Sequence, residues 1–102
     1  MKVVLSDKFQ DKWDNYLDYS FQNYGKALTS KKNEHLIKIL SRLSMFPESG
    51  HIEPLLKNKD KEYRAVIFDK KFKIIYSIGN NQILIVSLWD MKRNPKELKK
   101  DI

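Results

Sequence analysis

Apolar residues in the second half of the chain form three short runs separated by turn-forming residues. The runs span 63–68, 72–78 and 83–89, and each is rich in Val, Ile, Phe and Tyr. Runs of this length and composition are typical of strands and too short for a typical helix. The second break, Gly79-Asn80-Asn81, contains residues that accept positive φ and predicts a tight hairpin. With Asp69-Lys70-Lys71 at the first break, the pattern predicts an antiparallel meander.

The first half of the chain has helical periodicity. A short apolar run at 2–5 predicts a first strand, and Ser6 or Asp7 then offers a helix cap. Large apolar residues follow at spacings of three and four, which predicts one buried helical face. This face comprises Phe9, Trp13, Tyr16, Leu17, Ser20, Phe21 and Tyr24. Gly25 is a natural C-cap, so the first helix is predicted over about 7–24.

A second helix is predicted after a cap at Thr29 or Ser30. Its apolar stripe comprises Leu36, Ile39, Leu40 and Leu43. Phe46-Pro47 ends it, because the residue before a proline is disfavoured in helical conformation. The short break at Gly25 makes the two helices an antiparallel hairpin. Residues 52–56 predict an edge strand, where Pro54 is tolerated.

These elements predict a single α+β domain over residues 1–102. It has an N-terminal strand, an antiparallel helical hairpin, and a three- to four-stranded antiparallel meander with the hairpin on one face. Strand alternation places Arg64, Lys73 and Asp90 on the face away from the helices, around an apolar patch of Val66, Ile75 and Val86. An uncovered patch of this kind indicates a binding site, although the C-terminal segment is an alternative cover for it.

The chain carries a formal net charge of +7, unevenly distributed. Residues 1–25 hold three Lys and four Asp, and residues 26–102 hold seventeen basic and nine acidic side chains. Such a surface attracts nucleic acid or an acidic protein, and ordinary solubility charge is the alternative. Cysteine is absent, and no stretch approaches membrane-spanning length, so a soluble cytoplasmic domain without membrane contact is expected.

The sequence offers little for metal or cofactor chemistry. It has two histidines, His35 within the second helix and His51 after Gly50, and each fits a surface or packing role better than a catalytic base. No spacing of His and carboxylates predicts a metal site, and no Gly-rich phosphate loop is present. We therefore expect no cofactor.

Several short segments add to this order of elements. They are Phe46-Pro47 followed by Gly50, Tyr63-Arg64, Phe72-Lys73-Ile74-Ile75-Tyr76, and Trp89-Asp90-Met91-Lys92-Arg93-Asn94-Pro95. Over nearly its whole length the chain resembles the RelE/ParE superfamily, the toxins of bacterial type II toxin–antitoxin modules, often labelled plasmid stabilisation proteins. The resemblance implies the same fold and a cognate antitoxin as partner. RelE-like members cut mRNA on the ribosome, whereas ParE-like members poison DNA gyrase.

The resemblance also implies candidate site residues. Arg64, Lys73 and Arg93 match the basic positions of RelE-like toxins and would be phosphate and transition-state cations. The second basic position on the Arg64 strand is occupied by Val66, and residues 96–102 contain no Tyr or His to act as the acid or base. Candidate binding residues, by contrast, are Lys92, Asp90, Val66, Ile75, Val86 and Lys96.

Two functions follow, and the first is favoured. The chain is a ParE-like poison that docks on a target such as gyrase, or it is a RelE-like, metal-independent mRNA endonuclease. The missing acid–base residue favours the first, and the three retained cations favour the second. A third interpretation is a basic nucleic-acid-binding module without toxicity.

Overall fold

The computed structural model describes residues 1–57 and 59–102, in which one helical layer packs on one sheet. The strands are β1 (Lys2–Leu5), β2 (His51–Ile52), β3 (Tyr63–Phe68), β4 (Phe72–Gly79) and β5 (Gln82–Asp90). The helices are α1 (Asp7–Met45) and a C-terminal turn, α2 (Leu98–Asp101). The sheet has the order β1-β5-β4-β3-β2. This confirms the α+β class.

Helix α1 reverses direction at Gly25. It begins where Ser6 Oγ accepts the N–H of Phe9 at 3.0 Å, and Gly25 interrupts it with φ 84° and ψ 179°. Trp13 Nε1 donates to Asn33 Oδ1 at 3.3 Å, whereas twenty residues of straight helix would separate them by about 30 Å. The two halves therefore lie side by side. They meet at one residue, so the loop and the cap predicted at Thr29 or Ser30 are absent.

The helical hairpin packs on the sheet only along its inner part. Phe9, Trp13, Leu36 and Leu43 are buried against sheet residues such as Phe68. Beyond Ser20 the hairpin projects past the sheet, and residues 21–28 are all exposed. Phe21 is 52% and Tyr24 58% exposed, so the prediction that the apolar face is buried throughout is wrong at this end.

The sheet is larger than predicted and mixed. β1 pairs with β5 in parallel, from Lys2 opposite Gln82 to Leu5 opposite Ile85. The predicted strand at 52–56 is reduced to β2, which pairs with β3 only at His51 and Ile52. Pro54–Leu56 instead forms a 3-10 turn, with the proline at its start. A proline cannot donate to a sheet ladder, which accounts for this correction.

The first hairpin connection shifts β3 by one residue relative to the predicted register. Phe68 pairs with Phe72, so three residues, 69–71, form the connection. Asp69 and Lys70 both adopt positive φ. A one-residue slip moves every side chain of a strand to the other face. Arg64 and Val66 therefore face the helices, which corrects their predicted face.

A β-bulge in β5 reverses the faces at the end of that strand. Ile85 lies opposite Tyr76 and Ser87 opposite Ile75, which leaves Val86 as the extra residue. The Asn80-Asn81 turn before it is the tight hairpin that was predicted. Beyond the bulge, Leu88 joins the helix-facing core and Trp89 turns to the opposite face, the reverse of the prediction.

The second face of the sheet is covered. Ala65, Ile75 and Trp89 are buried there beneath Leu56 of the 3-10 turn and Leu98 of α2. The prediction of an uncovered patch is wrong, because the chain's own C-terminal segment and residues 54–56 pack on it. The alternative of a C-terminal cover is the correct one.

Candidate functional site

The guanidinium of Arg64 lies against the backbone at the end of α1. Its Nη1 donates to Gly50 O at 2.8 Å and to Glu48 O at 3.2 Å, and its Nε donates to Glu62 at 3.2 Å. These contacts brace the turn that follows α1. The positive charge of Arg64 is thus engaged by acceptors of its own chain.

Lys73 lies on the opposite face of the sheet from Arg64. It pairs across the strands with Ile67 and Trp89, whereas Arg64 pairs with Tyr76 on the helix face. Its Nζ lies 2.6 Å from Oε1 of Glu53, a carboxylate side chain that is only 1% exposed. The prediction that Arg64 and Lys73 share a face is therefore wrong, for the register reason given above.

Arg93 follows β5 and packs on the sheet residue Trp89. Its guanidinium carbon lies 4.2 Å from the centre of the indole ring, a cation–π contact. Nη2 also pairs with Glu97 at 3.1 Å. Asp90, three residues earlier, accepts the backbone N–H of Lys92 at 2.9 Å. The three candidate cations therefore lie in three settings, and Arg64 is separated from the other two by the sheet.

The apolar candidates for binding do not form one surface. Val66 packs in the helix-facing core, and Ile75 is fully buried in the second core. Val86 is partly buried against that second core. Lys96, in the turn before α2, is exposed. Their placement leaves Lys92, Asp90 and Lys96 as candidates that solvent reaches.

The structure reveals a cleft that the sequence analysis did not predict. It runs between the first half of α1 and the adjoining ends of β4 and β5, and we call it the aromatic cleft. Two connected openings of about 360 and 410 Å³ form it. Its aromatic lining is Tyr16, Tyr19, Tyr24 and Phe72. Tyr19 lies off the helical face predicted to be buried, and a ring at that position is the signal that could have indicated the cleft.

The floor of the aromatic cleft is held by a network around Asp69. Tyr16 Oη donates to Asp69 Oδ2 at 3.0 Å, and Lys32 Nζ lies 2.6 Å from Asp69 Oδ1. Burial and the hydrogen bond to Asp69 raise the pKa of Tyr16, so its hydroxyl stays protonated. Burial opposes ionisation of Asp69, but the hydrogen bonds from Lys32 and Tyr16 outweigh it and lower its pKa. The network fixes the hairpin to the β3–β4 connection.

Neither histidine lies in the cleft lining. His35 stacks on Phe68 with ring centroids 4.9 Å apart, and His51 is exposed in β2. Within residues 1–57 and 59–102, no cluster of three His, Cys, Asp or Glu side chains could hold a metal ion. In the same part of the chain, no helix combines the length and apolarity needed to cross a bilayer.

Comparison with known families decides the affiliation of this fold. The profile described as "ParE toxin of type II toxin-antitoxin system, parDE" matches residues 3–95. The chain belongs to the ParE toxin family. It is therefore the toxin component of a type II toxin–antitoxin system, as the resemblance implied.

A solved structure supports the fold of this ParE-family toxin. The structure described as the chromosomal ParDE TA system from P. aeruginosa has a TM-score of 0.71 to it and 14% sequence identity. The alignment covers 88% of this chain and 95% of that chain. No curated protein matches the chain significantly.

Proposed function

We propose that this ParE-family toxin inhibits growth by binding a bacterial target such as DNA gyrase, without itself breaking a bond, and that a cognate antitoxin neutralises it. The observation that carries the proposal is the separation of the three candidate cations. Arg64 and Lys73 project from opposite faces of the sheet, so they cannot act together on one phosphate.

The partners of these cations support the same proposal. Stabilising a phosphorane needs preorganised donors directed at one reacting group. Arg64 donates to Gly50 and Glu48, and Lys73 is paired with Glu53. Each side chain therefore has a structural role that accounts for its presence without catalysis.

An antitoxin partner follows from the family. A type II toxin is by definition paired with a protein antitoxin, and the solved relative is described as a ParDE system. The strongly basic part of this chain, from residue 26 onward, favours an acidic partner segment.

The second candidate is a RelE-like, metal-independent mRNA endonuclease. One arrangement favours it: Lys73 and Arg93 both adjoin Trp89, so two of the three cations lie on the same side of the sheet. That pair would have to act without Arg64 and without a Tyr or His among residues 96–102.

The deciding experiment compares the two activities with one protein preparation. The purified toxin is added to a gyrase supercoiling reaction and to a translating extract in which mRNA ends are mapped. We expect inhibition of supercoiling with intact mRNA. Ribosome-dependent cleavage that is lost in Arg93→Ala, with supercoiling unaffected, would overturn the proposal. In cells, early loss of thymidine incorporation rather than amino-acid incorporation is the matching result.

A further inference from the structure

The aromatic cleft exposes apolar surface that the chain does not cover. Tyr19 and Tyr24 are each 58% exposed and Leu28 is 37% exposed. The rings of Tyr19 and Tyr24 meet edge to face, with centroids 6.3 Å apart. A contiguous apolar surface of this kind on a soluble domain typically marks a site of protein interaction.

Positive charge predominates around this apolar surface. Five basic and two acidic side chains line the cleft. Lys71 and Lys92 are exposed, and among the described residues neither ammonium group is within ion-pair distance of a carboxylate. An occupant with carboxylates at its edges would gain attraction from both lysines at little desolvation cost.

The dimensions of the cleft correspond to a helix. Its wall on α1 extends from Lys12 to Tyr24, which is about 18 Å, or three turns. Edge strands β1 and β2 contribute no lining residue, so an added strand could not pair with the sheet from within the cleft. A helix presenting apolar residues at i, i+3, i+4 and i+7 would place them along the row of tyrosines.

We propose that the aromatic cleft binds an acidic amphipathic helix of the antitoxin, with its apolar face on Tyr19, Tyr24 and Phe72 and its carboxylates near Lys71 and Lys92. This inference rests on the proposed antitoxin partner and specifies where and how that partner docks. A protein segment fits better than nucleic acid, because Leu28 and Leu88 add aliphatic lining and Asp69 and Asp90 would repel phosphates.

The test uses a fluorescein-labelled 16-residue peptide with Leu on one helical face and Glu on the other. Binding to the full chain is followed by fluorescence anisotropy. We expect Tyr19→Ala/Tyr24→Ala and Lys71→Glu/Lys92→Glu each to weaken binding at least tenfold. Matched controls are Ile37→Ala and Lys31→Glu, which alter exposed residues outside the cleft and should change binding less than twofold.

Two further probes separate the alternatives. A peptide with Lys in place of every Glu should bind at least tenfold more weakly, and an oligonucleotide of twelve thymidines should not displace the acidic peptide. The proposal is overturned if the cleft variants bind the acidic peptide like the unaltered protein, or if the oligonucleotide competes for the cleft. Inhibition of gyrase with no effect of the cleft variants would overturn only this inference. Peptide binding in the cleft without any inhibition of gyrase would contradict only the proposed target.

Discussion

Lys73 and Glu53 form an ion pair of 2.6 Å that joins β4 to the segment after β2. Glu53 is one of the few buried polar residues of the described chain, at 2% exposure. Its carboxylate also accepts the backbone N–H of Leu55 at 3.5 Å. A buried carboxylate requires a partner charge, so Lys73 stabilises the 3-10 turn that covers the second face of the sheet.

Lys73→Met is accordingly expected to destabilise the fold. Removing one partner of a buried pair leaves an uncompensated charge, and we expect a loss of about 3 kcal/mol, the lower end of the usual range, because Lys73 is partly exposed. Urea unfolding measures this loss, and Lys73→Met/Glu53→Gln should recover much of it. Unchanged stability together with lost mRNA cleavage would instead assign Lys73 a catalytic role.

A second prediction concerns the close contact between Tyr76 and Gly50. Tyr76 Oη accepts the N–H of Gly50 at 2.9 Å and donates to Pro47 O at 2.7 Å. Tyr76→Phe leaves both backbone groups without this partner and should cost about 1–3 kcal/mol. Gly50→Ala should also destabilise, since its Cβ would lie 2.5 Å from the hydroxyl oxygen and 2.9 Å from Ala65 O.

The double variant tests whether this contact is the cause. Phe at 76 removes the atom nearest to the new Cβ, so the two losses should sum to more than the loss in Tyr76→Phe/Gly50→Ala. Thermal unfolding of the three variants gives the coupling. Strictly additive losses would show that Gly50 acts independently of the tyrosine hydroxyl.

The elements of the fold could be predicted from the sequence, but the faces of the sheet could not. Hydrophobic periodicity located the helical hairpin and the three central strands, since these signals are local. The faces depended on two single residues. Lys71 lengthens the β3–β4 connection, and Val86 forms the bulge in β5. Apolar residues occupy both faces of β4, so alternation alone could not reveal either shift.

The candidate site was predictable only in part, for a related reason. The positions of the cations on their strands were correct, but whether Arg64 and Lys73 share a face depends on register. The aromatic cleft arises because the hairpin projects beyond the sheet, so Tyr24 lacks a strand beneath it. Helical periodicity identifies an apolar face but does not show how much of it a sheet covers.

Acid should weaken the attachment of the C-terminal segment. Asp101 pairs with Lys8 at 2.9 Å and Lys12 at 3.0 Å, and it accepts a hydrogen bond from Ser87 at 3.0 Å. Burial opposes its ionisation, but these partners outweigh burial and lower the pKa of Asp101 to about 2 from the ordinary 3.8. Between these values the unfolded chain binds more protons. The stabilisation is thus complete above about pH 4 and is lost as the pH falls through 2.

The measurement for this prediction is urea unfolding of the unaltered protein and Asp101→Asn at several pH values. We expect Asp101→Asn to lose about 2 kcal/mol at pH 7, with the difference shrinking towards zero near pH 2. Asp14→Asn is the control, because exposed Asp14 has no ion pair among the described contacts. A difference that does not vary with pH would show that the carboxylate charge is not the stabilising feature.

Glycine at position 70 should stabilise the β3–β4 connection. Lys70 adopts φ 59°, and a left-handed conformation costs an L-residue about 1–2 kcal/mol, which glycine avoids. Glycine also has more freedom in the unfolded chain, which offsets part of the gain, so Lys70→Gly should raise the unfolding free energy by roughly 0.5–1 kcal/mol. The neighbouring Lys71 does not have positive φ, and Lys71→Gly should therefore lower stability. Equal effects of the two substitutions would indicate that loss of lysine charge, rather than backbone conformation, determines the change.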